Sequence, residues 1–448
     1  MSRARSRMAL GPEDVHLAVS SASLGSVPPD DRAWFVYRAC FFLGAGILFP
    51  WNSYITAVDY FERVHPGRHV DRVFGVLYFL PNLLSLVLVL RFGFLVPPGV
   101  RVRLGFGLFL VCLLVPAFFS ANLGVLCVGI ALNGVADAVA QGSLFALVAS
   151  MPTMYTQALM GGTSLSGLIV SVLRILTKAS FPSTESGAGK SAAVYFVVAA
   201  LWVLACVYVY GQLEKSEVYR WHRANARSKA ALEEEEDEYE SERSLTGIGA
   251  SNTNSSSIDS NLARSRRGMW RVEEGTRRTG TTFKDGLKIL KQIKHQAFTV
   301  AAVYAITLSI FPGVLAEDLR DDSMGDWFPL VLITAFNLAD VIGKCVPGVF
   351  PSAATMFSPR TMAALAGSRV LFIPAFLSVS RGSRSQVGSG VVLTLALGVT
   401  NGWYSAVVMM TAPKVVGAKE CEACGTIMVF FLLLGLTTGA FCGWLWLV

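Results

Sequence analysis

Apolar windows of about twenty residues recur along the chain, at roughly 34–57, 73–95, 104–120, 123–150, 155–178, 191–212, 295–315, 327–350, 361–380, 387–412 and 421–447. Each is long enough for a helix to cross a hydrocarbon core about 30 Å thick. The pattern predicts an all-α polytopic membrane protein with eleven transmembrane helices in a 6+5 arrangement. Its expected parts are a cytoplasmic tail over 1–33, transmembrane helices 1–6 over 34–212, a cytoplasmic loop over 213–294 and transmembrane helices 7–11 over 295–448. The tail starts basic and then turns acidic and small with no apolar core, so it does not read as a secretory signal and the first span directs insertion.

Composition agrees with a bilayer as solvent. Of the 448 residues 53% are hydrophobic and only 15% charged, and the mean hydropathy is +0.52; a soluble domain is about 25% charged. With the N-terminus cytoplasmic, the inside connections hold about 26 Lys and Arg and the outside ones about 8, the asymmetry that insertion requires. Eleven spans then put Val448 outside, together with the acidic connection 316–326. The same distribution accounts for the net charge of +7, which leaves no basic patch to suggest nucleic acid as a partner. The one CxxC, Cys421 to Cys424, has no second pair, and all five His lie in tails, loops or at a span edge, so neither a metal nor another cofactor is expected.

The long loop passes from basic to the acidic run 233–242, then to a polar tract rich in Ser and Asn, and ends basic. Low hydropathy with blocked charge predicts unstructured chain across roughly 230–270. In "FKDGLKILKQIKH" (283–295), Phe283, Leu287 and Leu290 share a face, which predicts a short amphipathic helix on the inner leaflet. In the fifth span Gly167, Ser171, Arg174 and Lys178 form one stripe from small to cationic that must face protein or water.

Polar side chains at membrane depth carry the functional signal, because a charge there costs about 2.5–3.5 kcal/mol on insertion scales. Asn133, Asp137 and Gln141 lie within an arc of about 80° of the fourth span. Asn337, Asp340 and Lys344 lie within about 60° in the eighth, with Asp340 four residues before Lys344 in the favourable order for a helical ion pair. Two such stripes predict a shared wet cavity near the midplane, and the tenth span adds Asn401, Tyr404 and Ser405. Arg369 reads as structural, either paired or snorkelling. The first span carries Pro50, Trp51 and Asn52 side by side, a poor choice for mere anchoring. There Pro50 would loosen the helix, Trp51 offer a stacking face and Asn52 bond a freed carbonyl or a neighbouring helix, while Gln141 and Asn337 could pair with ring nitrogens or hydroxyls.

The stretches "LFPWNSYITAVDYF", "AQGSLFALVASMP", "RILTKA", "FPG", "FNLADVIGK", "SRVLFIP", "TNGWYSA" and "GTIMVFFLLLGLTTGAF" resemble, in this order, the signatures of the equilibrative nucleoside transporter family. The resemblance implies a fold like the major facilitator group, two bundles with alternating access to a central site. It implies that Trp51 and Ile55 border a nucleoside, that Gln141 contacts the base, that Asp340 and Lys344 contact the ribose hydroxyls or hold that region, and that Phe311 lies near the pocket. The family often has Arg where this chain has Lys344, which lacks the bidentate fork. Thr163 stands where the monoamine-carrying branch has an acid, which disfavours organic cations. Asp137 replaces a small residue of many facilitative members, and "VADA" looks like the plant branch, whose members are often proton-coupled; Asp137 is therefore the candidate proton-coupling residue.

The expectation is a transporter of nucleosides or nucleobases such as adenosine or uridine, in a lipid bilayer, with protons as the candidate coupling ion and the plasma membrane preferred to an internal one. The alternatives are a facilitative carrier of another small polar or cationic solute, a polytopic membrane enzyme and a signalling scaffold. No GxxxxGK[ST] loop is present to bind ATP, and the acid cluster Asp318, Asp321 and Asp322 lacks a His or nucleophile partner and reads as a solvated loop, so an enzyme is not expected.

Overall fold

A computed structural model describes residues 29, 31, 34–57, 60–61, 64–68, 70–119, 121–180, 185–246, 283–311, 313–315, 319, 324, 327–350, 352, 355–381 and 387–447. The first six long helices are α1 (Phe35–Thr56), α2 (Val70–Phe92), α3 (Pro98–Phe119), α4 (Leu123–Ala149), α5 (Thr153–Ser180) and α6 (Glu185–Lys215). A polar helix, α7 (Glu217–Thr246), follows. The second group comprises α8 (Phe283–Ile310), α9 (Phe328–Val349), α10 (Pro359–Ser368), α11 (Phe372–Ser380), α12 (Val387–Thr411) and α13 (Cys421–Cys442). One 3-10 turn, Arg369–Leu371, joins α10 to α11 into a single crossing.

Ten of the crossings are long and apolar enough to span a membrane. The first, α1, has 22 residues, but Arg38 and the Pro50-Trp51-Asn52 run lower its apolarity and it does not reach that criterion. It is nevertheless held among neighbours, with Leu43, Ile47, Phe49 and Tyr54 fully buried. Elsewhere the outward faces are greasy: Leu84, Phe118, Leu201 and Val392 are all more than half exposed, as expected where the solvent is lipid.

Local chemistry sets several helix starts. The Asp31 carboxylate accepts the Val36 amide at 3.1 Å, Asn122 accepts from Val125 at the start of α4, and Ser358 accepts from Thr361 ahead of Pro359 at the start of α10. These side chains satisfy amides that the first turn leaves open.

Two bundles result. In the first, α1 packs on α5 and α6, α4 on α2 and α3, and α3 on α6; in the second, α8 packs on α13, α12 and α10, and α9 on α12. They meet along two seams, α5 against α9 and α12, and α13 against α4 and α2. Within the first bundle α1 and α5 touch backbone to backbone: a Cβ on Gly162 would lie 1.9 Å from the Phe41 carbonyl oxygen. Gly162→Ala should therefore force the pair apart and cost about 1–3 kcal/mol. Thermal unfolding in detergent would show it as a lowered midpoint, and an unchanged midpoint would contradict the close packing.

Two expectations change. Chain 230–246 is not unstructured but continues α7, whose Glu233 accepts the amides of Ala418 and Lys419 at 2.8 and 3.0 Å; residues 247–270 lie outside the described ones. Arg223 of the same helix binds Ser150 at 3.2 Å and Glu422 at 2.5 Å, so α7 touches both bundles. Burial beside Tyr155 holds the His222 imidazole below its ordinary range. The helix expected over 283–295 is present and feeds the next crossing as the first turns of α8, but its buried face is Ile289 and Ile293, whereas Leu287 is exposed.

Candidate functional site

Pro50 lies inside α1 and cannot donate to the residue four back. Just beyond it, Trp51 stacks on Tyr78 of α2, with ring centroids 4.2 Å apart and planes 15° from parallel, and meets Phe79 edge-on at 4.9 Å. One face of the indole expected to be free is thus already covered, and Trp51 is 7% exposed. Asn52 reaches α5 and donates to Ser166 Oγ at 2.8 Å, which supports the neighbouring-helix role expected for it. Ile55 packs against both the large apolar cluster that runs through the two bundles and the smaller one within the second.

Beside this stack lies a first polar nest. Asn82, which follows Pro81 in α2, donates to Asp137 Oδ2 at 2.7 Å. The Tyr78 hydroxyl adjoins the same carboxylate without closing a bond of good geometry. Asn133, Asp137 and Gln141 are each at most 2% exposed. Within this group Asn82 Oδ1, Asp137 Oδ1, Gln141 Oε1, the Tyr78 hydroxyl and both amide atoms of Asn133 have no hydrogen-bond partner. Unpaired polar atoms in a buried place cost about 1–3 kcal/mol each, so such a group persists where water or a solute completes it. Gly134 lets α4 lie against the Tyr78 carbonyl, where a Cβ would approach to 2.3 Å.

The second nest is closed. Asp340 Oδ1 accepts from Asn401 at 2.7 Å, and its Oδ2 accepts from Ser164 of α5 and pairs with Lys344 Nζ at 3.1 Å. Lys344 also donates to Thr163 Oγ1 at 3.4 Å and lies 6.0 Å from the Tyr304 ring centroid. Thr307 donates to Asn401 Oδ1 at 2.9 Å. Arg369, 3% exposed, does not snorkel: it donates to the carbonyls of Val303 and Leu397 and to Thr307 Oγ1, each at 3.0 Å, and ties α8 and α12 to its own crossing.

Along the α5–α9 seam the polar contacts form rungs. Gln157 donates to the Lys344 carbonyl at 3.1 Å, Ser164 to Asp340, and Asn337 to Ser171 Oγ at 2.9 Å. Gly167 lies against Asn337, Arg174 is buried, and Lys178 sits 5.1 Å from the Trp327 ring centroid, so the stripe read from the fifth span faces protein. Phe311 stacks on Phe336 at 4.3 Å in the second bundle's apolar core.

The structure thus groups Trp51 and Asp137 with α2, leaves Gln141 buried on α4 with its Oε1 unpaired, and groups Asn337, Asp340 and Lys344 with α5 and α12. It does not join the two carboxylates in one chamber, as the sequence led us to expect: each has its own partners. The reasoning from sequence passed over Tyr78, Asn82, Ser164, Thr307 and Gln157. For Asn82 there was a signal, an amide directly after Pro81 in an apolar run; single hydroxyls on a helix give none, because they bond their own backbone as readily. Among the described residues no group of three or more His, Cys, Asp or Glu could hold a metal ion.

Comparison with known proteins agrees with this architecture. Solved structures of the E. coli fucose:proton symporter FucP and of the proton:xylose symporter XylE superpose with TM-scores of 0.53 and 0.55, covering 91% and 93% of this chain and 95% and 89% of theirs, at 12% and 11% identity. They establish the two-bundle fold of the major facilitator group. Residues 127–448 match the family model described as nucleoside transporter. Arabidopsis thaliana equilibrative nucleotide transporter 1 is 34% identical over 455 residues, with 98% of this chain and 92% of the relative covered. Equilibrative nucleotide transporter 8 of the same plant is 34% identical over 425 residues, covering 92% and 95%. These relatives are transporters rather than enzymes, and the chain, a multi-pass integral membrane protein, belongs to the nucleoside transporter family, on its plant-like equilibrative branch.

Proposed function

We propose that the protein carries nucleosides by alternating access and couples their movement to protons through Asp137. The observation that carries the reading is the open nest beside the Trp51–Tyr78 stack, where an amide donor and several acceptors lie buried without partners. A nucleoside offers what such a place lacks: a flat ring to lie against aromatics, and ring nitrogens and hydroxyls to complete Asn133, Gln141 and Asn82. A nucleotide would bring two or more negative charges, and the buried cations Lys344 and Arg369 are already engaged, Lys344 with Asp340 and Arg369 with carbonyls and hydroxyls. An uncharged substrate is therefore the better match.

Asp340 and Lys344 take the ribose in this reading, exchanging Ser164 and Thr163 for hydroxyls of the solute when α5 and α9 part. Ile55 and Phe311 supply apolar wall between the two cores. The N-terminus is cytoplasmic and the C-terminus outside, from the Lys and Arg asymmetry, and the membrane is the plasma membrane.

Counterflow of radiolabelled adenosine into proteoliposomes preloaded with unlabelled adenosine tests the substrate. A transient overshoot is expected, competed by uridine and not by the corresponding monophosphates. Equal competition by the monophosphates, or no overshoot with any nucleoside, would refute it.

A further inference from the structure

A groove of about 220 Å³ opens between α1, α5 and α6, lined by Tyr37, Arg38, Phe41, Phe42, Leu165 and Trp202. Its floor is aromatic, with Phe42 and Trp202 stacked at 4.5 Å. The helix that supplies Trp202 is lipid-facing, since Val197, Leu201 and Leu204 on the other sides of α6 are exposed. At its mouth stands exposed Arg38, one turn deeper than Trp34, whose 61% exposure at the helix start marks the depth of the headgroups. Among the described residues Arg38 has no ion-pair partner; Asp31, close in sequence, has both carboxylate oxygens on the Val36 amide.

A guanidinium one turn below the headgroups, on a side chain long enough to snorkel up to them, above an aromatic trough matches one occupant, a phospholipid with a net negative headgroup. We infer that the groove binds an anionic phospholipid, its phosphate on Arg38 and one acyl chain along Phe41, Phe42, Leu165 and Trp202. Under the orientation proposed above this is the cytoplasmic leaflet, where such lipids concentrate. The bound lipid touches the seam through one side chain. Tyr37 on the groove wall donates to Gln157 Oε1 at 2.8 Å, and Gln157 Nε2 donates to the Lys344 carbonyl. An acyl chain against the Tyr37 ring holds its hydroxyl on Gln157 and favours the closed arrangement of α5 and α9.

Native mass spectrometry of the purified protein, titrated with dioleoyl phosphatidylglycerol or dioleoyl phosphatidylcholine, tests the site without reference to the solute carried. Retention of the anionic lipid about fivefold above the zwitterionic one is expected, the value of about one cation at a headgroup surface. Arg38→Gln should remove the preference and Arg38→Lys should keep it; Arg38 is exposed, so both variants should fold. Thermal unfolding reads the link to the seam: phosphatidylglycerol should raise the midpoint of the wild type, while Tyr37→Phe should retain the lipid and lose the shift. Equal retention of the two lipids, or an undiminished preference in Arg38→Gln, overturns the site. A full shift in Tyr37→Phe overturns the link.

Discussion

Asp137→Asn is expected to abolish uphill accumulation of nucleoside while leaving exchange across the membrane intact. The substituted amide keeps an oxygen to accept from Asn82, which bonds Asp137 at 2.7 Å, so the nest between α2 and α4 retains its shape. What it loses is a group that can bind and release a proton. With the uptake side one pH unit more acidic, one proton per solute sustains about tenfold accumulation, because a pH unit is worth about 1.4 kcal/mol. Wild-type proteoliposomes should approach that ratio under an imposed gradient, and the variant should stop at equal concentrations while still showing counterflow. A variant that continued to concentrate adenosine would remove Asp137 from the coupling role.

The second large effect concerns Asp340. Its carboxylate accepts from Asn401, Ser164 and Lys344, and both members of the pair are almost wholly buried. Asp340→Ala strands the ammonium of Lys344 away from water, and breaking a buried pair from one side costs about 3–5 kcal/mol. Poor folded yield and a strongly lowered thermal midpoint should follow. Replacing both residues, Asp340→Leu with Lys344→Met, removes the stranded charge and should restore much of the yield. The recovered double variant then separates two roles. If the pair grips the ribose, it folds and does not exchange adenosine; exchange at the wild-type rate would leave the pair a packing device alone.

Much of the fold was legible because a bilayer imposes a coarse rule. Only apolar stretches of one length can cross it with their backbone groups satisfied, and ten of eleven windows are crossings by that rule while the first is a buried helix. Asp137, Gln141, Asp340 and Lys344 stood out for the same reason, since charge and amide groups in hydrocarbon demand partners. The partners themselves were not legible. Whether Asp137 meets Asn82 or Asp340 depends on which helices adjoin, and periodicity along one helix says nothing about its neighbours. The continuation of α7 past residue 230 was missed because Glu233 is fixed by amides at 418 and 419, almost two hundred residues away in sequence. Hydropathy alone sees only an acidic run there.

The contacts of Gln157, Ser164 and Ser171 with α9 are spaced seven residues apart on one helix, which sets them about 10.5 Å from one another along its axis. Teeth that far apart need not disengage together. A small tilt of one half of the molecule can release Gln157 while Ser171 still grips Asn337, and the opposite tilt does the reverse. Each neutral tooth is worth only about 0.5–1.5 kcal/mol, so thermal motion suffices to undo an end one. The charged tooth at Asp340, the strongest of the three, is the natural fulcrum, and in the alternating-access reading proposed above each tilt frees one end of the seam while the other end stays latched.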